Sequence, residues 1–174
     1  MDYAAIYLDA NIHYHASDMI LHVATDAASH VLPVAGHYLL SNHPPTHSTL
    51  KPVANSPIHT VCQTIVNVVS SVARTECRGL FINGQQIIPQ CNTLIAMDHP
   101  QPSNGAPLKI DSVMALGIVK NYKKPRRSKS LEMCHHWIKD RDKLGDLNQY
   151  WEKGIHNWAD YFIKHHLPAY HRIM

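Results

Sequence analysis

Apolar residues fall in short runs separated by turn-forming stretches in the first part of the chain, and at helical spacing later on. Met19-Ile20-Leu21-His22-Val23-Ala24-Thr25 is short and mostly apolar and predicts a strand. Ala35 to Leu40 predicts a second strand. Residues 41–57 carry Pro44, Pro45, Pro52 and Pro57 among Ser, Asn and His and predict a loop, after which Ile58 to Val61 predicts a short third strand. Ser70 or Ser71 is placed to cap a helix reaching about Asn83, and a second helix is expected over Ile88 to Met97. A turn-rich stretch, His99 to Pro107, leads into a strand over Pro107 to Ile110 that ends at Asp111. Ser112 to Asn121 predicts a helix, with Val113, Leu116, Gly117 and Lys120 at helical spacing. Leu131 to Arg141 predicts another, on Leu131, Cys134 and Ile138 with Met133 and Trp137. Leu147 to Trp151 reads as a strand and His156 to His166 as the last helix. Strands followed by alternating helices and strands predict an α/β domain with a mixed sheet.

Length and composition narrow the class. A chain of 174 residues, 45% hydrophobic and 17% charged, is one globular domain with room for a core. The formal net charge of +3 is too small for the global field to hold a polyanion, so local clusters must do so. Such a cluster exists: Lys123-Lys124-Pro125-Arg126-Arg127-Ser128-Lys129 has five basic residues. It is either a phosphate-contacting loop or a solvated run. Cys62, Cys77, Cys91 and Cys134 form no C-x-x-C pair, and the first ten residues have no apolar signal core. Both point to a reducing compartment, cytoplasmic or nuclear. No apolar run approaches the ~18 residues of a membrane span, so no membrane association is expected. Fifteen histidines are unusual, but the adjacent pairs His135-His136 and His165-His166 point to different helix faces and chelate poorly. Scattered imidazoles are the simpler reading, and a metal or interaction protein built on them is the competing one.

The acidic residues are few and some sit oddly. Asp26 lies in or at the end of the first apolar strand, where Asp is depleted. Asp111 stands where a strand hands over to a helix, the end at which α/β sheets bind ligands. Asp160 sits among bulky neighbours in Trp158-Ala159-Asp160-Tyr161-Phe162, and Glu76 lies on the first helix. Each has an ordinary alternative: Asp26 a turn, Glu76 a solvated face, Asp111 a helix cap, Asp160 an i+4 pair with Lys164.

In combination they resemble a known family. Ser17-Asp18-Met19-Ile20-Leu21-His22-Val23-Ala24-Thr25-Asp26-Ala27-Ala28 is similar to the first strand of the ribonuclease H domain of copia-type LTR retrotransposons, with its Ser/Thr-Asp-Ala-Ser/Ala motif. Ser70-Ser71-Val72-Ala73-Arg74-Thr75-Glu76 resembles the family's S-S-x-x-E-A-E. Gln101-Pro102 with Lys109-Ile110-Asp111-Ser112 resembles its Q-P…x-x-D-N, and Asn157 to Lys164 its N-x-A-D-Y-x-T-K. Arg127-Ser128-Lys129-Ser130 through His136-Trp137 resembles a further family segment, so five motifs follow in order over nearly the whole chain.

The resemblance implies a ribonuclease H-like fold with a mixed five-stranded sheet flanked by helices. It implies an endoribonuclease acting on the RNA strand of RNA–DNA hybrids during reverse transcription. Asp26, Glu76, Asp111 and Asp160 would ligate two Mg²⁺ ions, with Mn²⁺ as substitute, and His156 would assist protonation of the leaving group or release of the metal. Two such ions, ~3.5–4 Å apart, activate the attacking water and stabilise the leaving oxygen. No single segment surrounds both, so the carboxylates must come from separated segments. Lys123, Lys124, Arg126, Arg127 and Lys129 would contact the hybrid's phosphates. Residues 1–18 resemble the end of the connection that follows a polymerase domain, and 19–174 the ribonuclease H domain; the polymerase and integrase are not on this chain. Four departures stand out: Ser112 for the usual Asn, Ile163 for Thr, Arg74 for the first Glu of E-A-E, and a shortened segment between Pro33 and Gly36. They support an alternative, a decayed retroelement remnant that folds and binds nucleic acid without cleaving it.

Overall fold

The computed structural model describes residues 11, 13–28, 33–42, 54–65, 72–120, 129–154 and 157–164. The strands are β1 (Ile20–Ala27), β2 (Pro33–Ser41), β3 (Ala54–Thr64), β4 (Ala106–Ile110) and β5 (Leu147–Trp151). The helices are α1 (Val72–Ala96), α2 (Val113–Val119), α3 (Lys129–Lys143) and the short α4 (Asp160–Ile163). The strands form one mixed sheet in the order β3-β2-β1-β4-β5. β1, β2 and β3 pair antiparallel, whereas β4 runs parallel to both β1 and β5.

β1 is central and buried along its whole length. Its side chains alternate between two layers. Leu21 and Val23 enter the main core with Leu80 and Ile87 of α1, Leu108 and Ile110 of β4, and Ile138 of α3. Each such fully buried aliphatic side chain stabilises the fold by about 1.5–3 kcal/mol relative to exposure. On the opposite face Ala24 packs with Ala35, Ala159 and Ile163, so the segment carrying α4 covers that side. The second layer is unusually polar. His22 bonds Tyr150 Oη at 2.5 Å, Lys109 pairs with Glu152 at 2.9 Å, and the Lys109 ammonium lies 5.3 Å from the centre of a Trp158 ring.

α1 corrects the sequence reading of two helices. It is one 25-residue helix that runs through Pro89. Pro89 lies on the exposed side, and the carbonyl it leaves without an intrahelical donor belongs to Gln85, itself an exposed residue. Ile87 and Leu94 on the inner side keep both halves on one core. The sequence also underestimates β3, which begins at Ala54 rather than Ile58. Its antiparallel pairing with β2 carries it through Pro57. α3 ends in a Schellman motif: Gly145, at φ +76°, donates to Asp142 O, and Asp146 N–H reaches back to Arg141 O at 2.9 Å. The turn delivers the chain into β5. The expected caps Ser70 and Ser71, the segment after Asn121 and the end of the last helix lie outside the described residues. Among the described residues no helix is long and apolar enough to cross a membrane.

α1 is fastened to the sheet by a buried amide. Asn83 Nδ2 donates to Thr25 Oγ1 at 2.8 Å and to Ala35 O at 3.1 Å, and Asn83 Oδ1 accepts from Tyr38 Oη at 2.8 Å. Gly36 makes room for it: a Cβ there would lie 2.0 Å from Asn83 Oδ1 and 2.8 Å from the Tyr38 ring. Gly36→Ala should therefore lower stability by about 1–3 kcal/mol, the usual range for overpacking a filled interior. Urea unfolding reads this as a shift of the midpoint with unchanged slope.

Candidate metal centre

Strand pairing brings the first two carboxylates together. Ala24 of β1 pairs with Lys109 of β4 in parallel register. Two residues further along each chain, on the same face by the two-residue strand period, stand Asp26 and Asp111. Asp111 is not the helix cap. Ser112 takes that role, its Oγ accepting from Ala115 N–H at 3.1 Å, which leaves the Asp111 carboxylate to the cluster. Asp160 opens α4 on the segment covering this face. One carboxylate oxygen each from Asp26, Asp111 and Asp160 lie within 4.8 Å of one another. Among the described residues this is the group able to hold a metal ion, and it contains no histidine or cysteine.

Glu76 approaches from the other layer. α1 crosses β1 at Gly79, where a Cβ would touch Ala27 and Thr25 at 3.4 Å, and Glu76 lies one turn earlier. Glu76 is buried rather than solvated, and it does not belong to the three-oxygen cluster. It does feel the cluster. Burial, then the charges of Asp26, Asp111 and Asp160, push its carboxyl up to about 9, against a lowering pull from Lys164.

The cluster itself is electrostatically costly. Burial raises Asp26 to about 8, followed by its hydrogen bond to Asp160 and the charges of Asp111 and Asp160; the Ala27 N–H, 2.8 Å from Oδ1, works against this. Asp111 is raised too, by burial and then by Asp160, with Lys164 and a hydrogen bond from Asn157 opposing. Lys164 supplies positive charge, 2.5 Å from Asp160 and 4.0 Å from Asp26. The i+4 pair expected for Asp160 thus forms together with the cluster. Hard oxygen donors, two of them on carboxyls held above their ordinary range and crowded beyond what one ammonium offsets, are surroundings that a divalent cation suits.

Other sequence expectations fare differently. His156, Lys123, Lys124, Arg126 and Arg127 lie outside the described residues, and Lys129 is the first residue of α3. The imidazoles are not all at the surface: His22 and His37 are buried around Trp158, and burial lowers both to about 4. Two residues beside the cluster escaped the sequence reading. Gly154 packs against Asp111, with a Cβ position 3.1 Å from Oδ2, and Asn157 bonds to several segments at once. Only the N-x-A-D motif carried a signal for Asn157.

No family model and no curated protein sequence matches the chain. Solved structures do. RNase H1 from the halophilic archaeon Halobacterium salinarum NRC-1 aligns over 83% of this chain and 91% of its own, at 12% identity and a TM-score of 0.50. LC11-RNase H1, solved in complex with an RNA/DNA hybrid, aligns over 82% of this chain and 91% of its own, at 12% identity and a TM-score of 0.52. The chain has the ribonuclease H-like fold, a mixed five-stranded sheet with flanking helices.

Proposed function

We propose that the chain is a metal-dependent endoribonuclease that hydrolyses the RNA strand of RNA–DNA hybrids, the ribonuclease H domain of a copia-type retrotransposon polyprotein. The observation that carries this is the convergence of Asp26 and Asp111, at the ends of two parallel central strands, with Asp160 at the start of α4. In the reading, Asp26, Glu76, Asp111 and Asp160 would hold the two ions, Glu76 and Asp111 on one side of Asp26 and Asp160 on the other. Two Mg²⁺ ions, or Mn²⁺ in their place, would supply an activated water and charge stabilisation at the leaving oxygen. The residues around them exclude bulk water from Asp26 and Glu76 and hold Asp160 against Lys164. His156 lies close to Asp160 in sequence and would protonate the leaving oxygen or aid metal release.

Two departures from the family motif have structural uses, which favours an intact site over a decayed one. Ser112 caps α2, and Ile163 packs on the cluster of Ala24, Ala35 and Ala159. Residues 1–18 would be the tail of a polymerase connection. End-labelled hybrid, single-stranded RNA, duplex RNA and duplex DNA, each with Mg²⁺ or Mn²⁺, test the reading. RNA cleavage confined to the hybrid and abolished by chelation is expected. Absence of metal-dependent cleavage from every substrate would instead favour the non-cleaving remnant.

Phosphate contact by the basic loop has its own test. Neutralising Lys123, Arg126 and Arg127 should weaken hybrid binding and flatten its dependence on salt by roughly one unit of log–log slope per lost contact. Fluorescence anisotropy across a salt series measures it. An unchanged slope would make the loop a solvated run.

A further inference from the structure

We propose that Asn157 is a positioning residue that holds the three clustered carboxylates in register, an inference that rests on the metal-site reading above. The ladder between β1 and β4 reaches Ala24 and Lys109 and goes no further, so the pairing that aligns the strands ends just before Asp26 and Asp111. Asn157 bridges the chain beyond that point. Its Nδ2 donates at 3.0 Å to Thr25 O, the carbonyl immediately before Asp26. Its amide also faces Asp111 closely enough to lower a carboxyl that burial and Asp160 raise. Its Oδ1 accepts at 3.3 Å from the N–H of Ala159, the residue before Asp160.

One carboxamide therefore ties the backbone just before Asp26 to the backbone just before Asp160, while the turn it closes packs on Asp111. The chemistry needs an amide. A carbonyl and a carboxylate both require donors, while a backbone N–H requires an acceptor, and Asn offers two N–H groups and one oxygen on a short, planar head. A carboxylate at this position would present only acceptors to Thr25 O and Asp111. A Ser hydroxyl has one proton and a shorter reach. Asn157 is itself buried, so water does not substitute readily for its bonds. Its backbone N–H, bonded to Gly154 O at 2.8 Å, ties it to the turn that packs on Asp111.

Metal-free wild type and Asn157→Ala are titrated with Mn²⁺ alone by calorimetry, and their thermal unfolding is followed by circular dichroism. The expected result is Mn²⁺ affinity weakened by roughly 10- to 100-fold, the usual effect of removing a partner that orients metal ligands. In hybrid cleavage kcat should fall while KM for the hybrid stays unchanged, because the phosphate contacts lie elsewhere. A residue with only a structural role would lower the melting temperature and leave Mn²⁺ affinity of the folded protein intact, and that result overturns the proposal. Should Asn157→Ala not fold, Asn157→Ser carries the same expectation, since its oxygen still faces Ala159 N–H but cannot span to Thr25 O. Wild type that binds Mn²⁺ but cuts no hybrid would sink the nuclease reading and leave the role of Asn157 standing on the binding data. Wild type that binds no Mn²⁺ overturns both.

Discussion

Asp111→Asn should abolish metal-dependent cleavage of the hybrid while the protein remains folded. The substitution keeps the side chain's shape and removes one of three carboxyl groups whose oxygens lie within 4.8 Å. A metal's stabilisation of transition-state charge amounts to several kcal/mol, and each ~1.4 kcal/mol is a factor of ten in rate. A loss on the order of a thousandfold or more is therefore expected. The fold should tolerate the change because Asp111 caps no helix. Ser112 does that, and Trp151 Nε1 donates to the Asp111 backbone carbonyl, which the substitution leaves in place. Denaturing gels of end-labelled hybrid, with circular dichroism as the fold control, measure both. Equal cleavage by wild type and variant would show that the chemistry lies elsewhere.

The second large effect is a loss of stability on the alkaline side in the absence of metal. Asp26 rises from its ordinary 3.8 to about 8 in the folded chain, and Glu76 from 4.5 to about 9. Both therefore bind more protons folded than unfolded between about pH 4 and pH 8–9, and stability falls as pH rises through that interval. His22 and His37 act in the opposite sense. Burial brings each from 6.5 to about 4, so the unfolded chain binds more protons between those values and stability rises with pH there. The two effects oppose each other below pH 6.5. Above it the carboxylates act alone of these four, which places the fall between about pH 6.5 and 9. For a chain of this length even 1 kcal/mol shifts the melting temperature by ~2–4 °C. Calorimetric scans in chelator should show melting temperature dropping across this window. Mg²⁺ or Mn²⁺ should flatten the drop, and so should Asp26→Asn. A flat profile in chelator would mean the carboxylates are not crowded in solution.

The strands facing the cluster were legible in the sequence because their apolar runs are short and bounded by turn residues. β5 matches its expected limits, and β1 and β4 come within two residues of theirs. α1 was misdivided at Gly84 to Ile87 because local breaker signals say nothing about which side of a helix meets water. At Pro89 the exposed side absorbs the lost hydrogen bond. Asp26 and Asp111 stood out individually as carboxylates at strand ends, but their adjacency depends on the β1–β4 register, a long-range fact with no local trace. Glu76 read equally well as a solvated helical residue. What buries it is the crossing of α1 over β1. Asn157 was hardest to see, since its value lies in linking its own segment to Thr25, 132 residues away in sequence.

The place of β1 at the middle of the sheet has a consequence for how the chain comes off the ribosome. β1, β2 and β3 emerge first and can form their antiparallel meander at once. The other edge of β1 must wait for β4, which follows only after the whole of α1. Until then a strand destined for full burial keeps one row of its backbone donors and acceptors open, the geometry that recruits strands from neighbouring chains. The α1 side of the meander can be shielded early, because Asn83 binds Thr25 and Ala35 without any help from β4. The contacts that make the helix a wall of the finished domain are thus all to strands that precede it at this point.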